Sequence, residues 1–277
     1  MRKRELRTRD IDAYKAKLHK EERAAATVEK YIHDVRAFAA WLGERPLDKE
    51  SAAAWKTALL ADGLSAATVN VRLAALNGLL RFLGREDCLV KFLKVQHRVF
   101  RDAGRDLTRA EYRRLLGHAD GKSSLLLETI CSTGIRVSEL RCITVEAARA
   151  GRADVALKGK VRTILLPERL CRRLLKYAQK QKTASGAIFL GKDGKALSRF
   201  QVWKLMKILA KKSGIAGKKV FPHNLRHLFA VTFYQATRDV VRLADVLGHS
   251  SVNTTRIYLL TTGEEHARAI EHLGLLR

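Results

Sequence analysis

The amino-acid sequence predicts a mainly α-helical protein in two helical parts, with one small β element in the second. Three observations carry this. Proline occurs only at Pro46, Pro167 and Pro222 in 277 residues, so few helix breaks are imposed. Long stretches rich in Ala and Leu repeat apolar residues at the 3.6-residue period of an amphipathic helix. One segment, 153–167, reads instead as two short β-prone runs around a glycine.

The elements follow in order. A first helix covers Asp10–Lys20. In Thr27–Leu42, residues Val28, Tyr31, Ile32, Val35, Phe38, Ala39 and Leu42 share one face, with Thr27 placed as the cap and Gly43 as the stop. Lys49–Leu60 repeats the pattern. Ser65–Leu83 does so again, aligning Val69, Leu73, Leu76, Leu79, Leu80 and Leu83 ahead of Gly84. These make a four-helix unit. Residues 85–106 mix charges without a period and read as a linker. Thr108, with Glu111 three positions on, is a capping box that starts a fresh helix. The boundary is therefore set near residue 106, giving parts 1–106 and 107–277.

In the second part, Val155-Ala156-Leu157 and Val161 to Leu166 flank Lys158-Gly159-Lys160, which reads as a hairpin. Pro167 is expected at the first helical position of a helix reaching Gln181. Further helices are expected at Arg199–Lys212, Asn224–Ala236, Val240–Leu247, Asn253–Leu260 and Glu264–Leu273.

Charge narrows the function. The chain holds 54 Lys and Arg against 28 Asp and Glu, a net charge of +26. Such a surface suits a polyanion, nucleic acid first and an anionic membrane second. No apolar run approaches the roughly 18 residues of a spanning helix, and Met1-Arg2-Lys3-Arg4-Glu5 precedes no apolar stretch, so the membrane reading is set aside. Cys88, Cys131, Cys142 and Cys171 lack C-x-x-C spacing and read as reduced thiols of a cytoplasmic protein, not as disulfides or a zinc site. The charge is uneven. Residues 1–106 carry 22 basic and 15 acidic residues, and 107–277 carry 32 and 13. Gly194–Arg238 has ten basic residues and no carboxylate, which favours a phosphate-binding surface over an ordinary mixed-sign face.

Three clusters could carry chemistry. In Ser132-Thr133-Gly134-Ile135-Arg136-Val137-Ser138-Glu139-Leu140, Arg136 follows a glycine break among small and apolar neighbours. An unpaired charge there is costly, so Arg136 is either an ion pair with Glu139 or a site. In Phe221-Pro222-His223-Asn224-Leu225-Arg226-His227, the residues His223, Arg226 and His227 project from one helix face. His-x-x-x-His can grip zinc, but the metalloprotease pattern needs Glu where Asn224 stands, and no carboxylate lies within eleven residues of either histidine. No metal site is expected, and an Arg between two His suits an anion better. In the third cluster, Leu247-Gly248-His249 ends a helix and Tyr258 follows nine residues after His249. Tyr258 alone would read as a core residue.

Taken in this order, the clusters resemble the tyrosine recombinases, the phage integrase family that includes the Xer-type enzymes. Thr133-Gly134-Ile135-Arg136-Val137-Ser138-Glu139-Leu140 matches one family block. His223 through Ala230, then Leu247-Gly248-His249, Thr254-Thr255 and Tyr258, match the other. The resemblance implies an N-terminal core-binding domain and a catalytic domain that clamp DNA. It implies cleavage and rejoining through a 3′-phosphotyrosyl link, with no metal and no cofactor. Arg136 and Arg226 would clamp the scissile phosphate, and Tyr258 would be the nucleophile. His223 would act as base or hydrogen-bond donor, His249 would hold a phosphate oxygen, and His227 would pack and orient. A hairpin lysine would protonate the leaving 5′-oxygen. The family's Lys-Gly-x-Lys-x-Arg run is one residue short in Lys158-Gly159-Lys160-Val161-Arg162, so Lys158 is assigned and Lys160 stays open.

The chemistry supports these roles independently. Two forked guanidiniums stabilise charge gathering on a phosphodiester without a metal. Nearby cations ease ionisation of a phenol whose ordinary pKa is near 10, and a neutral His can take its proton. The covalent link conserves bond energy, in keeping with the lack of a Gly-x-x-x-x-Gly-Lys-Ser/Thr loop.

The implied partners are double-stranded DNA at core sites and further copies of the chain, four protomers on two sites, held through the tail helix Glu264–Leu273. Docking of that tail on its own domain is the alternative. Arg72, Arg81 and Lys30 are candidate groove contacts. Arg199, Lys204, Lys207, Lys211 and Lys212 are candidates for backbone phosphates. Residues 1–20 are too short for an arm-binding domain, so action at core sites alone is expected, in the cytoplasm at the nucleoid. Thr261-Thr262-Gly263-Glu264-Glu265-His266 resembles recombinases of integrative mobile elements. Xer-type dimer resolution, a catalytically silent DNA-binding protein of the same fold and a strand-passing topoisomerase are the alternatives.

Overall fold

The computed structural model describes residues 6–95, 103–157, 160–249, 251–256 and 271. The chain divides into two compact units, Met1–His97 and Arg98–Arg277.

The first unit is built from α1 (Thr8–Lys20), α2 (Ala25–Leu42), α3 (Lys49–Ala61) and α4 (Ala66–Phe82). Asp48 caps α3 by accepting from the Ser51 N–H at 2.8 Å, and Ser65 caps α4 from the Thr68 N–H at 3.3 Å. Gly43, at φ +58°, ends α2. The start of α2 differs from expectation. Ala24 stands at the N-cap with no side-chain bond, and the helix begins two residues before Thr27. The Ala24-Ala25-Ala26 run carries the helix past Thr27, because alanine is the best helix former.

Helix α4 touches the other three and buries Val69, Leu73, Leu76, Leu79 and Leu80 completely. Each such leucine stabilises the unit by roughly 1.5–3 kcal/mol. Gly78 admits the buried Tyr14 of α1: a Cβ there would lie 2.2 Å from the Tyr14 hydroxyl oxygen. Burial pushes the Tyr14 phenol up to about 12.

The stretch expected to be linker is packed over its first half. A 3₁₀ turn at Glu86–Cys88 leads to buried Cys88 and Val90. The buried Asn77 amide donates to the Val90 carbonyl and accepts from its N–H, both at 2.9 Å. Asn70, two turns earlier, does the same for Leu93 at 2.9 and 2.8 Å. Side-chain amides thus satisfy a backbone that has no ladder or helix of its own. No hydrophobic period signals that arrangement.

The second unit holds α5 (Arg109–Gly117), α6 (Gly121–Thr133), α7 (Val145–Ala150), β1 (Arg152–Leu157), β2 (Lys160–Leu165) and α8 (Glu168–Lys180). It continues with α9 (Arg199–Lys212), α10 (Pro222–Thr237), α11 (Val240–Leu247) and α12 (Val252–Arg256). The capping box is present: the Thr108 N–H donates to Glu111 at 2.9 Å, and the Glu111 N–H to Thr108 at 3.1 Å. The strands pair antiparallel from Arg152↔Leu165 to Leu157↔Lys160. Lys158 and Gly159, between them, lie outside the described residues.

Pro167 takes the N-cap of α8, one place before its expected position. Helix α10 opens at Pro222, two residues before the expected Asn224, because Pro suits the first helical position. The expected extension of α12 to Leu260 and the tail helix Glu264–Leu273, Glu271 excepted, lie outside the described residues. The core centres on Leu125, Leu126, Leu127 and Ile130 of α6, which packs against α8 and α10. Among the described residues, no helix is long and apolar enough to cross a membrane.

Candidate active site

Two glycine turns bring the candidate residues together. Helix α6 ends at Gly134, at φ +62°, and a Cβ there would lie 2.5 Å from the Phe229 ring and 2.9 Å from Leu247. Only glycine lets α10 and α11 close against this turn. The chain emerges with Arg136 at the N-cap of a 3₁₀ turn, Val137–Cys142. The Arg136 N–H donates to Glu139 Oε2 at 2.9 Å and its Nη1 to Oε1 at 3.0 Å. Its Nη2 reaches the Gly248 carbonyl at 3.5 Å. Arg136 is thus ion-paired, yet its side chain stays 39% exposed while Glu139 is 1% exposed.

A second cation holds the same carboxylate. Arg162 of β2 donates through Nη2 to Glu139 Oε2, and through Nη1 to the Val246 carbonyl at 3.2 Å. Burial pushes the Glu139 carboxyl up. The Arg136 N–H and the two guanidiniums outweigh burial and hold it below the ordinary carboxylate range.

Helix α10 supplies Arg226, 3% exposed. Its Nη1 donates to the Gly134 carbonyl, and its Nη2 to the Leu247 carbonyl at 2.8 Å and to His249 Nε2 at 2.9 Å. His249 follows the second turn, Gly248 at φ +63°. Its Nδ1 lies 2.8 Å from Oγ1 of the buried Thr255 on α12. A guanidinium only donates, so Nε2 accepts and Nδ1 carries the hydrogen toward Thr255. Burial, followed by Arg226, Arg136, Arg162 and His223, lowers His249 to about 4, so the ring is neutral at pH 7.

The α10 residues expected on one face, His223, Arg226 and His227, differ in their surroundings. His223 is exposed and close enough to His249 to weigh on its charge. His227 is buried, with Nε2 3.5 Å from Oδ2 of Asp106. The Asn224 amide donates to the carbonyls of Arg105 at 2.7 Å and Lys219 at 2.8 Å. Among the described residues, no group of three or more His, Cys, Asp or Glu side chains could hold a metal ion.

Comparison with known proteins decides the family. The phage integrase family matches residues 105–265, and the phage integrase N-terminal SAM-like domain matches residues 11–87. The chain belongs to the phage integrase family of tyrosine recombinases. The tyrosine recombinase XerA of Pyrococcus furiosus is 27% identical over 286 residues, covering 100% of this chain and 98% of that protein. The tyrosine recombinase XerD of Bifidobacterium longum is 30% identical over 267 residues, covering 85% and 86%. A crystal structure of lambda integrase residues 75–356, a dimer bound to a COC′ core site, shares the fold. Its TM-score is 0.74 at 20% identity, over 90% of this chain and 94% of that one.

The family match spans Arg136, Lys158, His223, Arg226, His249 and Tyr258. The structure gathers Arg136, Arg226 and His249 around Gly134 and Gly248, while Lys158 and Tyr258 lie outside the described residues. Arg199, Lys204, Lys211 and Lys212 are exposed along α9. Lys207 differs: its Nζ donates to the carbonyls of Gly217 and Val220. In the first unit, Arg81 is exposed and Arg72 half-buried on α4, and Lys30 pairs at 2.5 Å with the buried Asp34.

Sequence reasoning missed Arg162, Thr255 and Asp106 as supports of the site. Arg162 did leave a signal. It pairs across the hairpin with buried Val155, so a charge occupies an inward strand position.

Proposed function

We propose that this chain is a site-specific DNA recombinase that cuts and rejoins DNA strands through a 3′-phosphotyrosyl intermediate. The observation that carries the reading is the convergence of Arg136, Arg226 and neutral His249 in one hydrogen-bonded cluster of a tyrosine recombinase. The two guanidiniums receive the scissile phosphate and stabilise the charge that builds on its oxygens. His223 takes the proton of the Tyr258 phenol. Its oxygen forms a bond to phosphorus as the bond to the 5′-oxygen breaks, and Lys158, or Lys160, protonates that oxygen. Rejoining runs the same steps in reverse with the 5′-hydroxyl of a partner strand.

Integration and excision of a mobile element is the role we favour, on the tail sequence Thr261-Thr262-Gly263-Glu264-Glu265-His266. Xer-type dimer resolution is the second reading, favoured by the Xer names of the two relatives above, which span most or all of the chain. Both roles use the same strand chemistry, on four protomers joined through the tail.

The test is covalent adduct formation with nicked duplexes from the DNA flanking the chain's own gene, in EDTA, on a denaturing gel. A band that vanishes in Tyr258→Phe supports the reading. DNA binding in native gels with no adduct on any duplex identifies a silent DNA-binding protein instead.

A further inference from the structure

We infer that Arg162 is a positioning residue that sets the charge of the phosphate-binding cluster, by sharing the Glu139 carboxylate so that it does not cancel Arg136. The inference rests on the reading that Arg136 receives the scissile phosphate. Arg162 is anchored by two separate segments, the 3₁₀ turn and the end of α11. Its Nη2 binds Glu139 on the 3₁₀ turn, and its Nη1 binds the Val246 carbonyl at 3.2 Å on α11. Its Cδ and Nε lie on Gly248, where a Cβ would come within 2.3 Å of Cδ. The Arg162 side chain is 15% exposed and that of Glu139 1%, so water screens this pair poorly.

The charge count follows from the geometry. Glu139 binds Arg136 through Oε1 and Arg162 through Oε2. Two guanidiniums and one carboxylate leave one net positive charge, carried outward by the partly exposed Arg136. With a neutral side chain at 162, the buried carboxylate would be balanced by Arg136 alone. The pair would be neutral, and the guanidinium would be drawn inward from the phosphate. Arg162 touches no reacting atom in this scheme and acts only through Glu139, Arg136 and the Gly248 turn.

The experiment compares adduct rates at saturating nicked duplex for wild type, R162Q, R162K, E139Q and the double variant E139Q/R162Q, with DNA affinity and melting temperature measured alongside. R162Q is expected to slow the adduct by about 10- to 100-fold, short of the ~10²–10³ for losing a direct transition-state donor. R162K keeps the charge but not the planar fork that spans Glu139 and the Val246 carbonyl, so its rate should lie between those of R162Q and wild type. Removing the unbalanced carboxylate should help, so E139Q/R162Q should exceed R162Q by at least about fivefold; a purely structural role gives a further loss instead. R162Q as fast as wild type, or no recovery in the double variant, overturns the inference alone. No adduct from wild type overturns the recombinase reading and this inference with it. Should R162Q fail to fold, E139Q against E139Q/R162Q decides: with the carboxylate gone there is no charge for Arg162 to balance, so rates within about fivefold support the inference, and a loss beyond about tenfold in the double variant with DNA binding intact overturns it.

Discussion

His249 ties the arginine cluster to α12, and its titration is the most direct test of the site at the scale of one residue. The folded ring sits at about 4, below its ordinary 6.5. Between those pH values the unfolded chain binds a proton that the folded chain does not. Stability contributed by His249 is therefore full above about pH 6.5 and is lost as pH falls toward 4. A phosphate beside Arg226 adds negative charge and opposes that depression. NMR titration of the ring should find the low value in free protein and an upward shift with duplex bound. A free-protein value near 6.5 would contradict the burial and the Arg226 contact. Gly248→Ala tests the turn beneath it. The substitution adds a Cβ at φ +63° and 2.3 Å from Arg162 Cδ. The expected cost is about 1–3 kcal/mol, read as a lower unfolding midpoint in denaturant. The partner of Arg136 was legible because Glu139 lies three residues on, within one turn. The pairing of Arg162 with Glu139, 23 residues away, and that of Asp106 with His227 were not, since both exist only once the second unit has folded, although the inward strand position of Arg162 marked it as a charge needing a partner.

At the scale of elements, legibility followed the strength of local signals. The bounds of α9 and α11 match expectation at both ends. Ser198 and Gln201 form a capping box on α9, while Asp239 caps α11 and left-handed Gly248 stops it. Residues 85–95 had no such signal. They are held by the amides of Asn70 and Asn77, two turns apart on α4, where an interior asparagine is otherwise unfavourable. Asn77→Ala should leave the Val90 N–H and carbonyl without their partners inside a buried segment. Its cost is about 1–3 kcal/mol, with faster amide exchange confined to residues 88–93 and the adjoining turn of α4. Asn77→Asp should fare no better, since it keeps the acceptor but loses the donor. Unchanged exchange at Val90 in Asn77→Ala would show that the segment is held by Cys88 and Val90 burial alone.

Charge is the property of the whole molecule, and its distribution makes a prediction that separates bound from available cations. A net of +26 guarantees salt-dependent attraction to DNA but does not say which lysines meet phosphate. Exposure along α9 singles out Arg199, Lys204, Lys211 and Lys212, whereas the Lys207 ammonium is engaged by the Gly217 and Val220 carbonyls. Changing any of the first four to Gln should lower the slope of log affinity against log salt by about 1, equally on specific and unrelated duplexes. Lys207→Gln should leave the slope intact and lower stability by about 1 kcal/mol through its two lost backbone contacts. Arg81→Gln, if that side chain reads a groove, should weaken the specific duplex more than the unrelated one, by about 1–3 kcal/mol. The decisive comparison is Lys204→Gln against Lys207→Gln, three residues apart on one helix. A greater effect of Lys207 on the salt slope would mean that DNA draws its ammonium off the carbonyls. Equal and negligible effects would place the duplex away from α9, and the cation-rich stretch Gly194–Arg238 would then act through Arg226 and the turn around it.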